Sequence, residues 1–147
     1  MTSDRIKARI LVSIQLGCII VVFALGSAVA YRPLLLLIQI AGMVIGIWAL
    51  VVMGIGNMNI SPLVKQRALL VTRGPYKLIR HPMYLAVLLV IWPLIIDRSS
   101  PLRITAGLVL TADLIIKMLF EESLLKKQFA EYNAYMKNTK RLIPLIF

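Results

Sequence analysis

ILVSIQLGCIIVVFALGSAVA at residues 10–30 and LLLLIQIAGMVIGIWALVVMG at residues 34–54 are two apolar runs with no Lys, Arg, Asp or Glu in either. A helix rises 1.5 Å per residue, so about 20 such residues cross the roughly 30 Å hydrocarbon core of a bilayer. Both runs therefore read as transmembrane helices. Arg32 and Pro33 are nearly all that separates them. The sequence thus predicts a tight antiparallel hairpin whose second helix opens just after a proline, where the missing N–H costs nothing.

Two shorter apolar runs follow, at 83–97 and 104–120, and Pro93 leaves the third room to tilt or re-enter. Over all 147 residues, 60% are hydrophobic and 16% charged, and the mean hydropathy is +0.87. Ordinary soluble domains are about 45–50% apolar, which rules out a soluble globular reading. The expectation is an all-α integral membrane protein forming one domain over 1–147. It has spans at about 10–30, 34–54, 83–97 and 104–120, followed by a cytosolic amphipathic helix. Cys18, alone and inside an apolar run, excludes an internal disulfide and a thiolate metal site. The single His81 excludes a His-rich zinc, haem or di-iron centre, so no metal is expected.

Lys and Arg number 17 against 6 Asp and Glu. In a soluble chain that excess suggests nucleic acid, but here its distribution explains it without a nucleic-acid partner. Arg5, Lys7 and Arg9 precede the first span and Arg32 alone follows it. Lys65, Arg67, Arg73, Lys77 and Arg80 separate the second span from the third, and Arg98 and Arg103 separate the third from the fourth. Lys126, Lys127, Lys137, Lys140 and Arg141 come last. Positive charges mark cytosolic loops, so both termini and the 55–82 loop are expected in the cytosol of a multi-pass protein. The rival reading of the first run is a signal peptide ending at Ala28-Val29-Ala30.

Polar residues at membrane depth are placed there for a reason. Asp113, Lys117 and Glu121 follow one another at i+4 and share one face, so the lysine can pair with a carboxylate a turn away on either side. Glu121, at the membrane edge, is the more exposed candidate for function. Glu122 lies about 100° round the helix and reads as a solvated partner of Lys126. Leu125, Phe129, Tyr132 and Met136 recur at helical spacing among lysines, as on a helix that rests on anionic membrane lipids or covers a cytosolic pocket. A second polar concentration, LVTRGPYKLIRHPMY at 70–84, enters the third span from the same side, with a turn at Gly74-Pro75 and a helix start at Pro82.

This segment, followed by EESLLKKQFAEYNAYMKNTKRLIP at 121–144, resembles the isoprenylcysteine carboxyl methyltransferase family and the related phospholipid methyltransferases. The likeness covers residues 57–147. It implies an S-adenosylmethionine-dependent methyltransferase whose cofactor region is 68–84 with 117–144. The implied cofactor contacts are Ala68, Leu69, Leu70, Val71, Tyr76, His81, Pro82, Met83, Tyr84 and Glu121, and Lys117 is implied near the substrate. Two departures stand out: Ala86, where the family often has glycine, and Phe129-Ala130, where it has Phe-Gly.

The implied chemistry is in-line methyl displacement, in which alignment supplies roughly 7–11 kcal/mol. A carboxylate acceptor needs no base at pH 7, which fits a chain without a His/Asp or Cys/His dyad. The expected acceptor is lipid-like and is carboxyl O-methylated with Glu121 and Lys117 as the working residues. The alternatives are a phospholipid or other amine N-methyltransferase, an NADPH-dependent sterol-type reductase and a non-enzymatic membrane subunit.

Overall fold

Prolines open three of the helices. The computed structural model describes residues 2–54, 57, 61–63 and 69–143; Lys65, Arg67 and Ala68 lie outside them. Helix α1 spans Thr2–Ala24 and α2 spans Pro33–Met53. A 3-10 turn covers Gly74–Lys77, α3 spans Pro82–Asp97, α4 spans Pro101–Gln128 and α5 spans Tyr132–Asn138. Pro33, Pro82 and Pro101 each occupy a first helical turn, where a missing N–H is harmless. At α4, Ser100 adds a side-chain cap by accepting from the Arg103 N–H at 3.3 Å. Among the described residues the fold is all-helical, with no strand and one isolated parallel bridge between Ile79 and Lys140.

Two of these helices, Ser3–Ala24 and Pro33–Met53, are long and apolar enough to cross a membrane. The first ends at Ala24 rather than Ala30, because the chain turns back to meet polar groups inside the fold. Gln39, buried in α2, accepts from the Ala30 N–H at 3.0 Å and donates to the Ala28 carbonyl at 2.9 Å. Asp97 accepts from the N–H groups of Tyr31 and Arg32 at 3.0 and 3.1 Å. The expected tight hairpin is also replaced by other partners, since α2 packs along α3 and α1 along α4. Glycine permits the first contact: a Cβ on Gly42 would meet Leu89 Cβ at 2.7 Å. Pro93 leaves α3 unbroken to Asp97.

Contacts order the helices up, down, up, down. Lys7 stands over the Phe120 ring at one end of the α1–α4 pair, and Gly26 abuts the Arg103 guanidinium at the other. Trp92 donates to Thr111 across α3 and α4 at 3.2 Å. The burial pattern is inside-out. Leu37, Ile47, Val51, Leu108 and Ile116 are more than half exposed, while Gln39, Arg103, Asp113, Lys117 and Glu122 are buried. Helix α4 turns Arg103, Asp113, Lys117 and Glu122 inward and leaves Val109, Ile115 and Leu119 outside.

Candidate functional site

The start of α1, the end of α2, the start of α3 and the end of α4 gather at one end of the bundle. Gly74 adopts φ +60° there, a left-handed conformation that glycine takes without strain, and a Cβ on it would press to 2.8 Å of Val52 Cγ2. The turn that follows buries Pro75 and Tyr76 against the site. Residues 139–143 then run back beside residues 78–81. Lys140 N–H donates to the Leu78 carbonyl at 3.2 Å, Arg80 N–H to Lys140 at 2.7 Å and His81 N–H to Arg141 at 3.0 Å.

Glu122 fastens this strap. It accepts from Arg80 Nε at 2.8 Å and from Arg141 Nε at 3.2 Å, and His81 Nε2 stands 3.4 Å away. The surface pairing with Lys126 expected from the sequence is thereby overturned, since the Glu122 side chain is 3% exposed while Lys126 is exposed. The reason lies in the face of α4 that Glu122 occupies, which the strap covers and i+4 spacing along the helix does not reveal. Glu122 lies beyond the 104–120 run. Burial alone would push its carboxyl up, but hydrogen bonds from His81 and Arg80, with their charge, hold it down at about 2. Arg80 also donates to the carbonyls of Met136 and Thr139.

Beside this network lies an open cleft at the same end of the bundle. Leu69, Leu70, Val71, Tyr76, His81, Pro82, Met83, Tyr84 and Glu121 all line it, so these sequence-derived residues converge on one space. Ala68 lies outside the described residues. Lys117 is not part of the lining: it is wholly buried and donates to Gln15 of α1. Ala86 packs toward Gly46 of α2, so its departure from glycine falls on a helix contact rather than on the cleft.

Sequence reasoning did not single out Met53, Asn57, Ser61, Leu63 or Tyr135, which also line the cleft. Leu125, Phe129 and Tyr132 were legible as an amphipathic stripe, and all three line the cleft. The stripe is not one helix, because α4 ends at Gln128 and the short α5 follows. Tyr135 donates to the Tyr76 carbonyl at 2.6 Å, and burial pushes its own hydroxyl up to about 12. Burial, and then the Glu121 charge, raise the Tyr76 hydroxyl.

The cleft's free polar groups share one character. Glu122 and Arg80 neutralise each other, which leaves Glu121, 30% exposed and 3.8 Å from His81 Nδ1, as the carboxylate facing the space among the described residues. Glu121 accepts from the Tyr84 hydroxyl at 2.7 Å, and Tyr84 stacks on His81 with ring centroids 5.4 Å apart. Among the described residues, the hydroxyls of Tyr76 and Tyr132 are buried without a hydrogen-bond partner. Orphaned donors, aromatic faces and one carboxylate suit a ligand bearing positive charge and hydrogen-bonding edges.

A family model described as "Phospholipid methyltransferase" matches residues 33–132, more than half of the chain, from the start of α2 to the first residue of α5. No curated protein matches the chain.

Proposed function

The chain belongs to the phospholipid methyltransferase family, and on that premise we propose that it transfers the methyl group of S-adenosylmethionine to the amine headgroup of a membrane phospholipid. The observation that carries this reading is Glu121, a carboxylate that lines a cleft walled by tyrosines and accepts from the Tyr84 hydroxyl. When bound, the cofactor supplies an electrophilic methyl on a sulfonium. The residues fit such a group: Glu121 and the aromatic faces attract positive charge, and the orphaned Tyr76 and Tyr132 hydroxyls meet its polar edges.

Alignment is the protein's main contribution. His81, Pro82 and Met83 sit at the first turn of α3, fixed by the strap, while Leu125 and Phe129 close the opposite wall. An amine acceptor must present a free lone pair, and with Glu122 committed to Arg80, Glu121 is the carboxylate placed to take its proton. A second reading, carboxyl O-methylation of the isoprenylcysteine type, is favoured by Lys117, whose Nζ lies 5.9 Å from the Tyr84 ring centroid. Its burial away from the cleft ranks that reading below the first.

The membrane arrangement belongs to the same proposal. The apolar outer faces of α1, α2 and α4 support a multi-pass protein. Arg5, Lys7, Arg9, Arg73, Lys77, Lys126 and Lys127 are exposed at the cleft end, against Arg32 and Arg98 at the other, which supports a cytosolic cleft. The test uses purified protein in nanodiscs with methyl-labelled S-adenosylmethionine. It offers a primary-amine phospholipid or a prenylated cysteine carboxylate as acceptor, with NADPH titrated separately. Label in the lipid amine is expected. Label in a base-labile methyl ester, or binding of NADPH in place of the methyl donor, overturns the reading.

A further inference from the structure

Helix α1 precedes the matched residues 33–132 and carries none of the motif residues, yet it reaches the site. Its Gln15 presents Oε1 to the Lys117 ammonium on α4. Lys117 Nζ stands beneath the Tyr84 ring, and the Tyr84 hydroxyl donates to Glu121 Oε2 at 2.7 Å. Gln15, Lys117, Tyr84 and Glu121 thus form one file, from the outermost helix to the carboxylate that faces the cleft.

Lys117 and Glu121 are one turn apart on the same face of α4, a spacing at which opposite charges pair. A flexible lysine stem allows its ammonium to swing to either carboxylate within reach. A lysine that swung to Glu121 would neutralise the group on which the cleft's affinity for a cation depends. Asp113, one turn the other way and buried, offers two carboxylate oxygens without a hydrogen-bond partner among the described residues. Gln15 is uncharged: it engages the ammonium without cancelling its charge, and it holds that charge against the aromatic face, where the attraction is electrostatic.

We propose that Gln15 is a positioning residue, holding the Lys117 ammonium beneath Tyr84 so that Glu121 stays hydrogen-bonded to the Tyr84 hydroxyl and available to the cleft. This rests on the reading that Glu121 serves the methyl donor. Helix α1 is then part of the site's support as well as a membrane anchor.

The test is a double-mutant cycle on full-length protein in nanodiscs. The readouts are calorimetric affinity for S-adenosylhomocysteine and, separately, KM for the methyl donor and kcat. Q15L is expected to weaken S-adenosylhomocysteine about tenfold and to raise the donor KM more than it lowers kcat. In the D113N/K117M background, where both buried charges are gone, Q15L should change affinity by less than about twofold.

The same tenfold loss in that background would show that Gln15 acts through packing, and the inference fails. Q15L within about twofold of wild type also overturns it. If Q15L does not fold by thermal melting, Q15N replaces it in the cycle, since its amide is one methylene too short to reach and the same losses are expected. Wild-type protein that binds no S-adenosylhomocysteine refutes the donor reading of the cleft, an outcome distinct from failure of the cycle.

Discussion

Glu122→Gln keeps the shape of a buried side chain and removes its charge, leaving the Arg80 guanidinium, 7% exposed, without its ion partner. Removing one member of a buried pair typically costs about 3–5 kcal/mol, because the surviving charge stays desolvated. The carboxyl's fall from 4.5 to about 2 points the same way, since at about 1.4 kcal/mol per unit it corresponds to between about 3 and 4 kcal/mol. Arg141 is 30% exposed, so its share is that of a surface pair and adds little. The expected loss is therefore about 3 kcal/mol. It is read by reversible unfolding in mixed micelles, followed through Trp48 and Trp92. The R80M/E122Q double variant should recover most of that loss, as both charges leave together. A Glu122→Gln protein within about 0.5 kcal/mol of wild type would refute the reasoning, as would a double variant whose losses simply add.

Acid should reach the same carboxylate. Its folded value is depressed, so its contribution is complete above about 4.5 and is lost as the pH falls toward about 2; the melting-temperature gap between wild type and Glu122→Gln should close over that window. Glu121→Gln should weaken S-adenosylhomocysteine by about 10- to 150-fold in calorimetry, as for a lost charged hydrogen bond. It should change unfolding stability by less than about 1 kcal/mol, because Glu121 is 30% exposed. Gly26→Ala would place a Cβ 2.7 Å from Arg103 Cζ at the end opposite the cleft. It should destabilise by about 1–3 kcal/mol in the same unfolding assay and leave cofactor affinity unchanged.

Most of the cleft was readable because its residues lie in two continuous segments. Nine of the contacts implied by motif position, from Leu69 to Glu121, face one space. What escaped the sequence was pairing between segments. Glu122 offers Lys126 at i+4, and nothing in the local pattern shows that Arg80 and Arg141 arrive from elsewhere to claim it. Gln39 and Asp97 are equally silent: each satisfies backbone N–H groups of the connection after α1, and such satisfaction depends on tertiary approach. Hydropathy extended the first span to Ala30 because Leu25–Ala30 is apolar. That segment packs as irregular chain, with Gln39 of α2 meeting the Ala28 carbonyl and the Ala30 N–H.

Helix lengths explain why a cleft exists at this end at all. Helix α3, at 16 residues, is about 24 Å long, while α4, at 28 residues, is about 42 Å. Glu122 of α4 stands beside His81 at the start of α3, so Ser123–Gln128, between one and two turns, carries α4 beyond that start. The space left above Pro82 must be filled by chain that is not membrane helix, and the segments 69–81 and 129–143 supply it. On the membrane arrangement proposed above, α3 is shorter than the roughly 30 Å hydrocarbon core. Its first turn, bearing His81 to Tyr84, is then recessed to the inner edge of the lipid headgroups. A water-soluble cofactor entering from above and a lipid headgroup arriving from the side would meet at that depth, beside Glu121.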